Sequence, residues 1–194
     1  MRRSIVAAAT FGTMATFAIP VLAQSAITHT NPATRAALPA APAARALDDP
    51  TIVAIFDAAN TADIETGQLA AKRGSTKAVR DLAAMFARDH EMVRQQGRDL
   101  AKKLGVTPTP PKGDKSAQEQ AQVMAMLRAK HGADFDKAYL AHEVAFHKAV
   151  IDAVNQTLLP AIQNPELKAL VVKVAPAFQA HMLAAQRLEE QTAQ

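Results

Sequence analysis

The feature that most constrains this chain is its helix punctuation. Asp49-Pro50 and Asn164-Pro165 each set a capping side chain before a proline, while Gly74 and Gly105 each close a long run free of proline. A short polar side chain satisfies the orphan N–H groups of a helix start, proline is tolerated in the first turn, and glycine suits the position just past a helix end. The pattern predicts a helix from an Asp49 cap to Arg73, and a second from a Ser75 cap to Leu104. The stretch "VTPTPPKGDK" (106–115) reads as a loop. Ser116 with Glu119 forms a candidate capping box for a short helix ending near His131-Gly132. Asp134 is the expected cap of a helix through Leu158. After the turn "LLPAIQNP", the last helix runs to about Gln191, with a kink expected at Pro176. Strand signals, meaning alternation and β-branched or aromatic runs, are nearly absent.

The expected fold is therefore all-α. Two tight connections and one long one imply two helical hairpins joined by a crossover that carries a short extra helix, the ferritin-like arrangement of a four-helix bundle. An up-down-up-down bundle with a capping helix is the alternative.

Residues 1–23, "MRRSIVAAATFGTMATFAIPVLA", pair Arg2 and Arg3 with an apolar run and small residues at a cleavage point. That is the pattern of a cleaved signal peptide, and Pro20 breaks the run too early for a good membrane anchor. Residues 24–48, rich in Ala and Pro, read as a flexible linker, leaving 49–192 as the folded domain. The expected location is the periplasm, with peripheral outer-membrane association open. No cysteine is present, which removes disulfides and thiolate ligands. Without Arg2 and Arg3 the chain carries 20 basic and 18 acidic residues, or +2. No basic run survives, so nucleic-acid binding is not expected. No further stretch is expected to cross a bilayer. An envelope-protein partner or a homodimer is left open.

Helical periodicity of about 100° per residue places ionisable groups on apolar faces. On the first helix Asp63 falls in the stripe of Ile52, Phe56, Ala59, Gly67 and Ala70, while Glu65 points away. On the second, His90 is central and Asp89 flanks it. On the helix containing "HEVAFH" (142–147), Glu143 and His147 lie one turn apart inside a broad apolar arc with Tyr139; Asp136 is on the same line and His142 at the edge. His181 lies in the stripe of the last helix. Heights counted from the turns put Glu143 and His181 level, and Asp63 and His90 about one turn away, ~6 Å. Unpartnered buried polar groups cost about 1–3 kcal/mol each, so these groups are expected to meet one another, water or a metal. Imidazoles with carboxylates suit zinc, copper or iron. The bundle-core di-iron pattern needs Glu-x-x-His, which this sequence lacks.

The segments "AANTADIETGQLAAKRG" (58–74), "VRDLAAMFARDH" (79–90), "FDKAYLAHEVAFHKAVIDAV" (135–154) and "PAFQAHMLAAQRL" (176–188) resemble bacterial exported ferritin-like domains of unknown function, often labelled predicted outer-membrane proteins. The resemblance covers about residues 50–190. It implies the ferritin-like fold, export, and polar core positions at Asp63, the Asp89-His90 pair, His147 and His181. An all-helical soluble domain cannot form a membrane barrel, so a soluble periplasmic protein fits that label better.

Two functions compete. In one, Asp63, His90, Glu143, His147 and His181 hold a transition metal, with Asp89, Tyr139 and His142 around them. In the other, the same groups form a hydrogen-bond network that fixes helix register in a structural or partner-binding envelope module. An enzyme using Glu143 and His147 for proton transfer is the least supported, since no nucleophile, phosphate loop or cofactor motif accompanies them.

Overall fold

A computed structural model describes residues 47–192; the expected signal peptide and most of the expected linker lie outside the described residues. The described residues are helical throughout, with α1 (Asp49–Arg73), α2 (Lys77–Leu104), α3 (Ser116–Arg128), α4 (Gly132–Ala153), the single turn α5 (Leu159–Ala161) and α6 (Pro165–Thr192). Between α4 and α5 the chain makes a π-helical turn, Val154–Leu158. Pro160 has no N–H to give the carbonyl four residues back, and its ring excludes the ordinary α bond there. The Leu159 N–H bonds to the Val154 carbonyl instead. The expected continuous helix through Leu158 is thus widened in its last turn.

Several helix starts shift by a residue or change partner. Asp48, not Asp49, caps α1, its carboxylate accepting from the Thr51 N–H at 3.0 Å. Asp49 instead accepts from the Gln163 and Asn164 N–H groups at 2.9 Å each, clamping the turn before α6. Thr76, not Ser75, caps α2. The start of α3 has no side-chain cap, so the Ser116–Glu119 box does not form. The start of α4, at Gly132, does not use Asp134. Asn164 does cap α6, accepting from the Glu166 and Leu167 N–H groups.

Helices α1 and α2 run antiparallel across the short 74–76 connection, and α4 pairs chiefly with α6. The first pair packs closely because of Gly67: a Cβ there would stand 2.9 Å from the Ala83 carbonyl oxygen and 3.1 Å from the Ala87 Cβ. The two pairs are tied by buried Asp136 of α4. Its carboxylate accepts from the Ser75 N–H at 2.7 Å, the Ser75 hydroxyl at 2.6 Å and the Thr76 N–H at 3.1 Å. A carboxylate at the first turn of α2 also complements the positive helix end.

The interior has two apolar clusters. One gathers Ile52, Phe56, Val154, Leu158, Val171 and Phe178; the other gathers Ala70, Val79, Ala83, Phe135, Tyr139 and Leu140. Every long helix contributes to both ends and carries its polar core residues between them. The helices are thus held at both ends by apolar burial, and a polar waist lies between. Against the sequence expectation of no span-like stretch, one helix, α6, is long and apolar enough by length and composition alone to cross a membrane. Its valines, leucines and Phe178 supply most of that apolar character, and Val172 and Leu183 are exposed.

Candidate metal centre

The polar waist collects Asp63 and Asn60 from α1, His90 from α2, Glu143 and His147 from α4, and His181 from α6, all buried. His90 Nε2 lies 3.3 Å from His147 Nε2 and 3.2 Å from His181 Nδ1. Asp63 Oδ2 is 3.0 Å from His90 Nε2 and 3.3 Å from His147 Nε2. The expected offset of Asp63 and His90 by a turn is not observed; they stand level with His147 and His181. Residue counts from the turns take no account of the close packing of α1 on α2 at Gly67.

Which nitrogens carry protons follows from the outer partners. The Asn60 amide N–H donates to the Phe56 carbonyl at 2.7 Å, which turns its Oδ1 toward His90 Nδ1 at 2.9 Å. An amide oxygen only accepts, so His90 Nδ1 bears the proton. The Glu143 carbonyl, 3.0 Å from His147 Nδ1, assigns that ring in the same way. For His181 the outer atom is Nε2, 3.3 Å from Asp89 Oδ2. The remaining nitrogens, His90 Nε2, His147 Nε2 and His181 Nδ1, face one another, with the Asp63 carboxylate against two of them. Lone pairs do not attract lone pairs; such a cluster calls for a shared proton or a metal cation. Outer acceptors that fix ring orientation are also the usual surroundings of metal-bound histidines.

The spacing suits one ion. Four tetrahedral donors about 2.05 Å from a zinc-like ion stand about 3.3 Å apart. Four of the six edges among His90, His147, His181 and Asp63 are 3.0–3.3 Å. Asp63 Oδ2 and Glu143 Oε2 lie against the imidazoles of His90 and His147, and buried oxygens so placed are suited to ligate a cation. The three histidines form one candidate donor group, and Asp63, Glu143 and His147 form a second that shares His147 with it.

The electrostatics divide the two carboxyls. Burial by itself would raise Asp63, but the adjoining His90 and His147 hold it down to about 2. Burial and then the Asp63 charge push Glu143 well above the usual carboxyl range. Two neighbouring acids in one dry site do not both ionise; Asp63 is the anion and Glu143 the neutral acid. Thr66 donates to Glu143 Oε1 at 3.2 Å. Tyr139, against the same carboxyl, is raised well above its ordinary value by burial and then by the charges of Glu143 and Asp63. Burial lowers His147 to about 4 and also lowers His181, where His90 adds to the effect. Both rings therefore remain neutral and able to ligate at neutral pH.

Among the residues singled out from the sequence, Asp63, His90, Glu143, His147 and His181 come together. Asp89 and Tyr139 lie against them. His142 does not; it is partly buried beside the Phe146 ring, with centroids 5.6 Å apart. Asn60 and Thr66 were missed. Their signal was legible: both lie three residues from Asp63, and neither favours a helix interior. Asp136 proved to be a helix cap rather than part of the centre.

These features define a class: an all-helical domain whose buried histidines and carboxylates could hold a metal ion. The chain belongs to the family described as Domain of unknown function (DUF4142), which matches residues 33–188. The match begins inside the stretch read as a linker. No curated protein and no solved structure matches the chain.

Proposed function

We propose that this protein is an exported metal-binding protein that holds one transition-metal ion at the waist of a ferritin-like four-helix bundle. The α1/α2 and α4/α6 pairs form the two hairpins, with α3 in the crossover. His90 Nε2, His147 Nε2, His181 Nδ1 and Asp63 Oδ2 are the ligands. Glu143 stands beside them as a neutral acid that becomes a further ligand on losing its proton. The observation that carries this reading is the convergence of three histidine nitrogens, each ring held by an outer partner on its other nitrogen. Zinc, copper and iron all accept imidazole with carboxylate; the donor spacing favours a tetrahedral ion of zinc's size. The leader-like residues 1–23 support export to the periplasm, tested by sequencing the N-terminus of the secreted protein.

The test is elemental analysis of protein purified without a His-tag, followed by calorimetric titration of the stripped protein with zinc, copper(II) and iron(II). Stoichiometric uptake is expected, lost in His147→Ala and His181→Ala. No uptake of any of the three would leave the competing reading, a metal-free network holding a shared proton among the histidines.

A further inference from the structure

The donors of the waist are not equally enclosed. Asp63, His90, Glu143 and His147 are 0–3% exposed, and His181 is 6% exposed. Their outer partners differ in the same sense. His90 is held by the buried Asn60 amide, and His147 by the backbone carbonyl of Glu143. His181 is held by a side chain that reaches water: Asp89, which is 30% exposed, with its Oδ2 3.3 Å from His181 Nε2. One ring therefore spans the wall of the bundle. Its Nδ1 lies 3.2 Å from His90 Nε2, and its other nitrogen meets a carboxylate at the surface.

The two helix pairs meet along two looser seams, α1 against α4 and α2 against α6, where the helices touch far less than within a pair. The first seam is unsuited to an ion. Ile55, Phe56, Ala59, Val150 and Ala153 line the cavity of about 50 Å³ that opens there, and an ion on apolar walls loses its hydration without replacement. The second seam carries His181 and Asp89. α6 has no acidic residue from Leu167 to Leu188, so the carboxylate at this seam comes from α2. Arg88 lies against it at 3.4 Å with its side chain mostly exposed, and an exposed pair of this kind is weak. The cost of movement also differs among the rings. Turning His90 or His147 aside breaks a buried hydrogen bond. Turning His181 aside breaks a contact at which water can replace the lost partner.

We propose that the ion enters and leaves through the seam between α2 and α6, with Asp89 as the surface group that receives it and His181 as the ligand that turns aside. The inference rests on the metal reading and adds to it the route of exchange and the form of the metal taken up, a free hydrated cation rather than an anionic complex. The cation meets the Asp89 carboxylate first. It passes inward as the His181 ring swings, and the ring closes behind it as the last ligand.

The test is kinetic. Metal-free protein is mixed with cobalt(II) in a stopped-flow instrument, where visible absorption reports ligation, and release is followed with excess chelator. Asp89→Asn keeps an acceptor oxygen beside His181 and removes the charge. Uptake about tenfold slower at low salt is expected, with release unchanged and the difference closing as salt is raised. Arg88→Gln, which touches no ligand, speeds uptake at low salt. Ala177→Trp, exposed one turn from His181, slows uptake and release by the same factor. Ala153→Trp, on the other seam, changes neither rate. Faster release from Asp89→Asn with unaltered uptake means that Asp89 only positions the ring, and overturns its receiving role. Slowing by Ala153→Trp in place of Ala177→Trp overturns the seam. Uptake with wild-type rates in both Asp89→Asn and Ala177→Trp refutes the route alone. A wild-type protein that takes up no metal in calorimetry refutes the metal reading itself, and the route with it.

Discussion

Asn60 shows how one unremarkable side chain can set the chemistry of another. By giving its N–H to the Phe56 carbonyl it presents only an acceptor to His90, and so turns the His90 lone pair inward. Asn60→Leu leaves the ring free to adopt the other tautomer. Outer partners of metal-bound histidines typically contribute 10–100-fold in affinity, and a loss within roughly that range is expected by calorimetry, with helical circular dichroism unchanged. Asn60→Asp keeps an acceptor at the same place and should recover most of the loss. At this scale much was legible in the sequence. The helical period alone put Asp63, His90, Glu143, His147 and His181 on inward faces. The same period places Asn60 and Thr66 inward too, but it identifies which residues face inward and not which hydrogen bonds they make. Nor could it separate His142 from the cluster other than by its place at the arc's edge.

Among the elements, the close approach of α1 to α2 does most to place the ligands. Gly67 has no room for a Cβ against the Ala83 carbonyl, so Gly67→Val must push the helices apart near Asp63 and His90. Thermal unfolding is expected at lower temperature, and metal affinity is expected to fall, although residue 67 touches no ligand. Asp136→Ala acts differently. It strips three partners from the start of α2 and leaves buried donors unpaired, a cost of about 1–3 kcal/mol. Urea unfolding should show a lower midpoint with an unchanged slope, since the surface exposed on unfolding is the same. The sequence marked the long helices well, because Gly74, Gly105 and Asn164-Pro165 are strong local signals. It placed caps one residue off at Asp49 and Ser75, where two adjacent polar residues compete and tertiary contacts decide. Asp49 and Ser75 bond to distant parts of the chain, which no local pattern reveals. The π-helical turn was missed for a related reason: Pro160 announces a break but not how the preceding turn adjusts.

At the scale of the molecule, apolar packing at both ends of the helices supports a waist that apolar packing alone would not stabilise. An ion filling that waist binds the folded chain and not the unfolded one. At free metal of 100 times Kd it should add about 2.7 kcal/mol to stability, seen as a rise in unfolding temperature that a chelator reverses. A metal-free network would show no such rise. The all-helical class was legible from punctuation and from the lack of strand signals.

The donors are far apart along the chain. Asp63 and His181 are 181 − 63 = 118 residues apart, and only Glu143 and His147 are near neighbours. A nascent, extended chain therefore offers little more than one weak pair, and a tight grip must wait until α6 has docked. By intrinsic preference such a donor set would rank copper high, but it never chooses from a free mixture. Under the metal reading, the ion would be drawn from the pool that surrounds the chain at the moment of closure, so the address at which the protein folds would select its metal as much as its residues do.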